Sequence, residues 1–171
     1  MRAIQSNLTG VVDETTIRGQ GMAQLIKQYL NIQTGYGLRN LGDMPNVTLP
    51  ILFVEPSPGY NPSLVMMGKY QIELTYYLFW YVCDTDPEDI VSYCSSIGHC
   101  LEKLFSNNAL NDLGTASPPS HNFTNYPGFW TEVDSFSFKC LPTFKNPLPN
   151  PTADWMRLGK GTIKIRDWII R

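Results

Sequence analysis

The sequence has little charge and only two histidines. Of its 171 residues, 16% are charged, and the formal net charge is −2. A soluble domain ordinarily carries about 25% charged residues, and a protein that binds nucleic acid through its phosphates is ordinarily basic. The composition therefore argues against a nucleic-acid-binding protein. Aromatic residues, in contrast, make up 12% of the chain, and low charge with many aromatics is typical of a surface that is covered in an assembly.

The histidines form no recognisable metal or catalytic pattern. His99 lies in the segment Cys94-x4-His99-Cys100 of a predicted helix, where residues five and six apart do not converge on one ion. His121 lies in a polar loop. The sequence contains no phosphate-binding loop, dinucleotide fingerprint or nucleophile elbow. We therefore expect no catalytic residue, no metal site and no cofactor, and a protein that is not an enzyme.

Long apolar runs and a secretion signal are also missing from the sequence. No run approaches the roughly 20 apolar residues of a membrane-spanning helix, so we expect no membrane partner. Without a signal peptide, the even number of cysteines does not indicate disulfides. We expect four reduced thiols in a protein made in the cytoplasm, at Cys83, Cys94, Cys100 and Cys140.

The clearest pattern is a long strand followed directly by an amphipathic helix. Residues 69–83 alternate between two faces, of which one is apolar throughout and the other is polar as far as Thr75 and apolar from Tyr77 onward. This pattern predicts a strand that begins half exposed and ends covered on both sides. Pro87, capped by Asp86, begins a predicted helix over 87–105 whose apolar residues recur at spacings of three and four. We expect Ile72, Leu74, Leu78, Ile97 and Leu101 to be buried between the two elements.

Four further elements complete the predicted order α-β-β-α-β-β. They are a helix over 15–32 and strands over 49–55, 129–141 and 155–170. Antiparallel pairing of these strands predicts one four-stranded antiparallel sheet with the helices packed on it, an α+β fold. The length and the absence of a linker predict a single domain over residues 1–171.

Two proline-rich segments, at 56–62 and 142–151, interrupt this scaffold. Prolines restrict a segment in advance and so reduce the entropy lost when it binds a partner. We therefore predict a partner interface on these segments and on the apolar residues that flank them. The candidate interface residues are Pro56, Pro58, Tyr60, Met66, Met67, Phe144, Leu148 and Trp155.

The element order resembles that of the tail-terminator or neck (head–tail joining) proteins of tailed bacteriophages. The resemblance rests on the helix at 15–32, the strand at 49–55, the aromatic strand at 70–83 and the turn Asp-Thr-Asp-Pro-Glu-Asp at 84–89. That turn is the most specific of these features. The resemblance covers the chain from about residue 15 onward.

The resemblance implies a structural virion protein that forms a homo-oligomeric ring, most often a hexamer. Such a ring sits on the last ring of the tail-tube protein, ends tube polymerisation and presents a face to the head-connector or neck protein. DNA passes through its lumen without specific binding. The implied location is the tail or neck of a virion assembled in the host cytoplasm.

Two alternatives remain open from the sequence. One is a different virion component, such as a tail-tube or head-completion protein. The other is a small-ligand-binding or enzymatic α+β domain with its site under the loop at 107–127, which a deep polar pocket there would favour.

Overall fold

The computed structural model describes residues 19–37, 41–44, 47–57, 61–66, 69–106, 131–149 and 151–170. Helix α1 occupies described residues 19–30, and the predicted residues 15–18 of this helix lie outside the described part. The remaining elements are β1 (Gln33–Tyr36), a 3-10 turn (Leu41–Asp43), β2 (Ile51–Pro56), β3 (Asn61–Met66), β4 (Lys69–Asp84), α2 (Asp89–Ser106), β5 (Thr131–Cys140), β6 (Phe144–Lys145) and β7 (Trp155–Ile170).

The described strands form one mixed sheet, so the predicted four-stranded antiparallel sheet is wrong. Seven strands take part, six of them longer than the two-residue β6. The main order is β1-β2-β4-β7-β5, with β3 also paired to β4 and β6 to β7. β1 runs parallel to β2, and the other pairs are antiparallel. The fold is α+β, with more strands than predicted and a parallel edge.

The sequences of β1 and β3 lack the alternating pattern from which strands are predicted. β1 contains Gly35 and only four residues, too few for an alternating pattern to show. β3 contains Pro62 and begins inside the proline-rich segment 56–62, for which no strand was predicted. A proline is compatible with an edge strand because it needs no partner for the missing N–H, and β3 pairs with described strand β4 alone.

The sheet is organised around β4 and β7, which pair along their full length. The register runs from Lys69 opposite Ile170 to Asp84 opposite Trp155. Both strands were predicted within one residue of their observed bounds. Each has 16 residues, so they form a ladder roughly 50 Å long.

The main core lies between one face of the sheet and the two helices. Of the core residues predicted from the sequence, Leu74, Leu78, Ile97 and Leu101 are buried, which confirms them, and the Ile72 side chain lies outside the description. Helix α1 contributes Met22, Leu25 and Ile26. Helix α2 approaches β5 closely at Gly98, where an added Cβ would overlap the ring of Phe138.

Helix α2 begins two residues later than predicted. The Asp86 carboxylate accepts a hydrogen bond from the backbone N–H of Glu88 at 2.8 Å, so Asp86 does cap the chain's entry into the helix. Pro87 and Glu88 form a turn, and the regular helix starts at Asp89. Three exposed carboxylates, those of Asp86, Glu88 and Asp89, therefore stand at one end of the sheet.

Candidate partner interface

The proline-rich arm at 142–151 is tied to its own sheet. β6 within it pairs with the start of β7, with Phe144 opposite Met156. The Asn146 side chain donates to the Ala153 carbonyl at 2.9 Å and accepts from the Leu148 N–H at 3.0 Å. Its backbone N–H donates to the Asp154 carbonyl at 2.9 Å. Asn146 therefore fixes the arm from both sides and orders it before any partner binds.

A small second core lies under this arm, on the sheet face opposite the helices. Its buried residues are Leu41, Ile51, Phe53 and Met156, and Leu148 packs against them half-buried. Leu148 thus packs within its own chain. Trp155 is likewise half-buried, against the main core.

The remaining predicted interface residues divide between described and undescribed parts. Phe144 is exposed, at 37% of its surface, and Pro56 is half-buried at the end of β2 opposite Tyr76. Met66 pairs with Lys69 through its backbone, and its side chain lies outside the description, as do Pro58, Tyr60 and Met67. The structure brings Phe144, Leu148 and Trp155 to one end of the sheet.

A cleft of about 500 Å³ separates the arm from residue 44 and residues 47–49. Leu49, Leu148 and Pro149 line it, and Cys83 lies at its wall. Burial raises the pKa of the Cys83 thiol, the neighbouring Asp84 carboxylate raises it further, and a hydrogen bond with Thr152 opposes the shift. The thiolate is the nucleophilic form of cysteine, and this environment disfavours it at Cys83.

The two cysteines and the histidine of α2 differ in exposure. Cys94 is fully buried and Cys100 is exposed, while His99 lies on the surface, with Nδ1 3.3 Å from a Glu102 carboxylate oxygen. Burial, followed by a hydrogen bond with Cys140, raises the pKa of Cys94 to about 12. Within the described residues no three side chains of the metal-binding types form a cluster.

Beyond the second core, the same sheet face carries lysines, of which Lys139 and Lys164 are exposed and Lys160 is half-buried. Lys139, Lys160 and Lys164 lie on it, with Tyr77, Phe79, Ser137 and Thr162 between them; we refer to these seven residues as the lysine face. A depression of about 260 Å³ lies on this face and is lined by Tyr77, Ser137 and Lys160. The face is thus polar, aromatic and cationic, in a chain whose net charge is negative.

Two lysines of this face stand directly opposite each other on neighbouring strands. Lys139 of β5 pairs with Lys160 of β7, an arrangement in which like charges repel. The Lys160 ammonium lies over the rings of Tyr77 and Phe79, 5.3 Å from each ring centre. Lys164 contacts the Glu73 carboxylate at 3.8 Å, so of the three lysines only Lys164 has a carboxylate partner among the described residues.

The lysine pair was not predicted from the sequence. The alternation of β7 placed Lys160 and Lys164 on one polar face, and the alternation of β5 placed Lys139 on another. Their juxtaposition depends on the register between two strands about 20 residues apart, and no local pattern reports that register.

Comparisons with known proteins identify no family for this chain. No protein-family model matches the sequence, and no curated protein is detectably similar to it. The described helices include none that is both long and apolar enough to span a membrane.

Proposed function

We propose that this protein is a tail terminator: a structural virion protein whose copies form a ring, most often a hexamer, at the head-proximal end of a phage tail. The ring binds the last ring of tail-tube protein on one side and the head-connector protein on the other. It thereby ends tube growth and joins tail to head, while DNA passes through the lumen. The protein acts in the virion, after assembly in the host cytoplasm.

The observation that carries this proposal is the ordered arm. Its backbone is held by β6 and by the hydrogen bonds of Asn146, yet it exposes Phe144 and the prolines at 142, 147, 149 and 151. An apolar segment that is already ordered loses little conformational entropy when it docks. Such a segment suits a contact surface between virion subunits better than it suits a catalytic site.

The chemistry of the described side chains agrees with a structural role. Burial raises the pKa values of Cys83 and Cys94, which disfavours the thiolate, the nucleophilic form of cysteine. The cleft of about 500 Å³ lies between the arm and residues 44 and 47–49, so it belongs to the proposed contact surface.

Immunogold labelling of virions tests the location and separates the alternatives. Antibodies against this chain are expected to label a single position at the head–tail junction. Labelling along the whole tail would identify a tube protein instead, and labelling confined to heads would identify a head-completion protein. Absence of the chain from purified virions would refute any virion role and leave the ligand-binding alternative.

A further inference from the structure

We propose that the lysine face is a contact surface for a second copy of this chain, and that it binds the acidic turn at 84–89. The acidic turn is the segment between β4 and α2 that carries Asp84, Asp86, Glu88 and Asp89. This proposal names the contact within the proposed ring and therefore rests on that function.

The lysine face has the properties of a surface that can bind an anion. Lys139 and Lys160 occupy paired positions of the ladder, where like charges repel. The Lys160 ammonium lies over the Tyr77 and Phe79 rings, and neither lysine has a carboxylate partner within the described residues. A carboxylate bound at this face would offset that repulsion. Hydroxyl groups of Ser137 and Thr162, which pair across the same strands, stand next to the lysines as further donors.

The acidic turn has the complementary properties. Asp86, Glu88 and Asp89 are exposed, and the described part of the chain provides no ion pair to them. The capping bond of Asp86 uses one carboxylate oxygen, and Asp84 accepts a bond from the Asp86 N–H at 3.1 Å. These bonds fix the shape of the turn, so its carboxylates are presented in an ordered arrangement.

The two charged surfaces are too far apart to neutralise each other within one copy. Lys160 pairs with Phe79, five positions from the end of β4 at Asp84, which corresponds to roughly 16 Å along the strand. That distance exceeds the Debye length of about 8 Å at physiological ionic strength. The lysines also lie on the sheet face opposite α2, whereas the turn leads into α2.

Two complementary patches at different places on one chain generate a head-to-tail contact. Each copy offers its acidic turn to the next and its lysine face to the previous one, and a ring results when the rotation closes. Opposite charges across such an interface favour the correct partner and speed association at low ionic strength.

Charge reversal on each side tests the contact. One variant carries Lys139→Glu with Lys160→Glu, and the other carries Glu88→Lys with Asp89→Lys; Asp86 is retained because it caps the turn. Urea unfolding and circular dichroism establish that both fold. Native mass spectrometry at low ionic strength is expected to show oligomers of the wild type. Each variant alone is expected to associate roughly a hundredfold more weakly. An equimolar mixture of the two variants is expected to form oligomers again, because each acidic surface then meets a basic one. The control, Lys27→Glu with Lys103→Glu, makes the same charge change on exposed helix positions and is expected to associate as the wild type does.

Three results would overturn this contact: a wild-type chain that remains monomeric, variants that associate as the wild type does, or a mixture that does not recover. If the variants assemble normally while antibodies label the head–tail junction, the contact is wrong and the proposed function stands. If reversal abolishes association but the chain is absent from virions, the contact stands and the proposed function is wrong. Recovery only on addition of an acidic partner protein would assign the lysine face to that partner and refute self-contact.

Discussion

The indole of Trp80 lies directly over Gly159, its partner on the neighbouring strand. Trp80 is fully buried, and a Cβ added at Gly159 would overlap the indole ring. The indole N–H donates to the carbonyl of Cys94 on α2 at 3.0 Å. One side chain therefore joins β4, β7 and α2, and Gly159 provides the space that permits it.

Replacing Gly159 with alanine is expected to destabilise the fold. The added methyl group must displace a buried indole whose hydrogen bond to α2 holds it in place, and overpacking of this kind costs about 1–3 kcal/mol. Urea unfolding monitored by tryptophan fluorescence measures the free energy of unfolding. The control Lys164→Ala, at an exposed site on the same strand, is expected to change stability by less than about 0.5 kcal/mol.

A double-mutant cycle attributes the Gly159 effect to the indole. In a Trp80→Leu background the obstructing ring is gone, so Gly159→Ala is expected to cost less there than in the wild type, with a coupling of about 0.5–3 kcal/mol. Circular dichroism must replace fluorescence for this pair. Equal costs in both backgrounds would contradict the assigned packing.

Helix α2 provides a second test of the core, with an internal control. Leu101 is fully buried against the sheet, so Leu101→Ala is expected to cost about 2–5 kcal/mol. Val91 is 40% exposed on the same helix, so Val91→Ala is expected to lower the free energy of unfolding by less than about 0.5 kcal/mol. Similar losses at both positions would mean that α2 presents a different face to the sheet.

The thiols are expected to react with a maleimide in an order set by burial. Cys100 is exposed, Cys83 and Cys140 are intermediate, and Cys94 is buried. Peptide mapping after timed labelling of the native protein should find Cys100 first and Cys94 last. If Cys94 were labelled early while circular dichroism showed that the protein was still folded, the assigned position of α2 would be wrong.

Alkaline pH is expected to destabilise the fold through Cys94. Its pKa is raised from 9.0 to about 12 in the folded chain, so between these values the unfolded chain loses a proton that the folded chain keeps. Cys94 therefore contributes its full stability below about pH 9 and loses it as the pH rises toward 12, by at most about 1.4 kcal/mol per pH unit. Urea titrations across this range should show a shallower decline for Cys94→Ala than for the wild type, and parallel declines would exclude this cause.

The ordered conformation of the arm is expected to depend on the Asn146 side chain. Asn146→Ala removes the bonds to the Ala153 carbonyl and the Leu148 N–H, which should cost about 1–3 kcal/mol and speed hydrogen exchange at Leu148. Asn146→Asp retains the acceptor for Leu148 and should have an intermediate effect. Because Leu148 packs on the second core, the arm contributes to folding, and trimming it is expected to reduce stability as well as partner binding. Unchanged exchange at Leu148 in Asn146→Ala would refute this role.

The elements that sequence reasoning found share one property: their periodicity is long. β4 and β7 have 16 residues each, with apolar and polar residues alternating over part of each strand, and α2 repeats its apolar stripe over 18 residues. The buried face of each element can therefore be predicted from its sequence. Those patterns also identified the main core, including Leu74 and Leu101, because the direction of each side chain follows from its position in the repeat.

The elements that were missed depend on pairing instead. β1 is recognisable only from its parallel register with β2, in which Gln33 lies opposite Ile51. β6 has two residues and exists because Phe144 and Lys145 lie beside β7. The lysine face arises in the same way, because Lys139 and Lys160 meet through the β5–β7 register. Such pairings depend on tertiary contacts that local patterns do not encode.

The central claim is that the gene belongs to a tailed phage and encodes its tail terminator, and deletion of the gene from that phage tests it most directly. A tube of identical subunits exposes the same binding face after every added ring, so its growth stops only when another protein occupies that face. Electron microscopy of lysates from the deletion mutant is expected to show filled heads without tails, together with free tubes of abnormal length, and a supplied copy of the gene should restore tailed particles. Mutant lysates in which heads carry normal tails of normal length would contradict the terminator assignment.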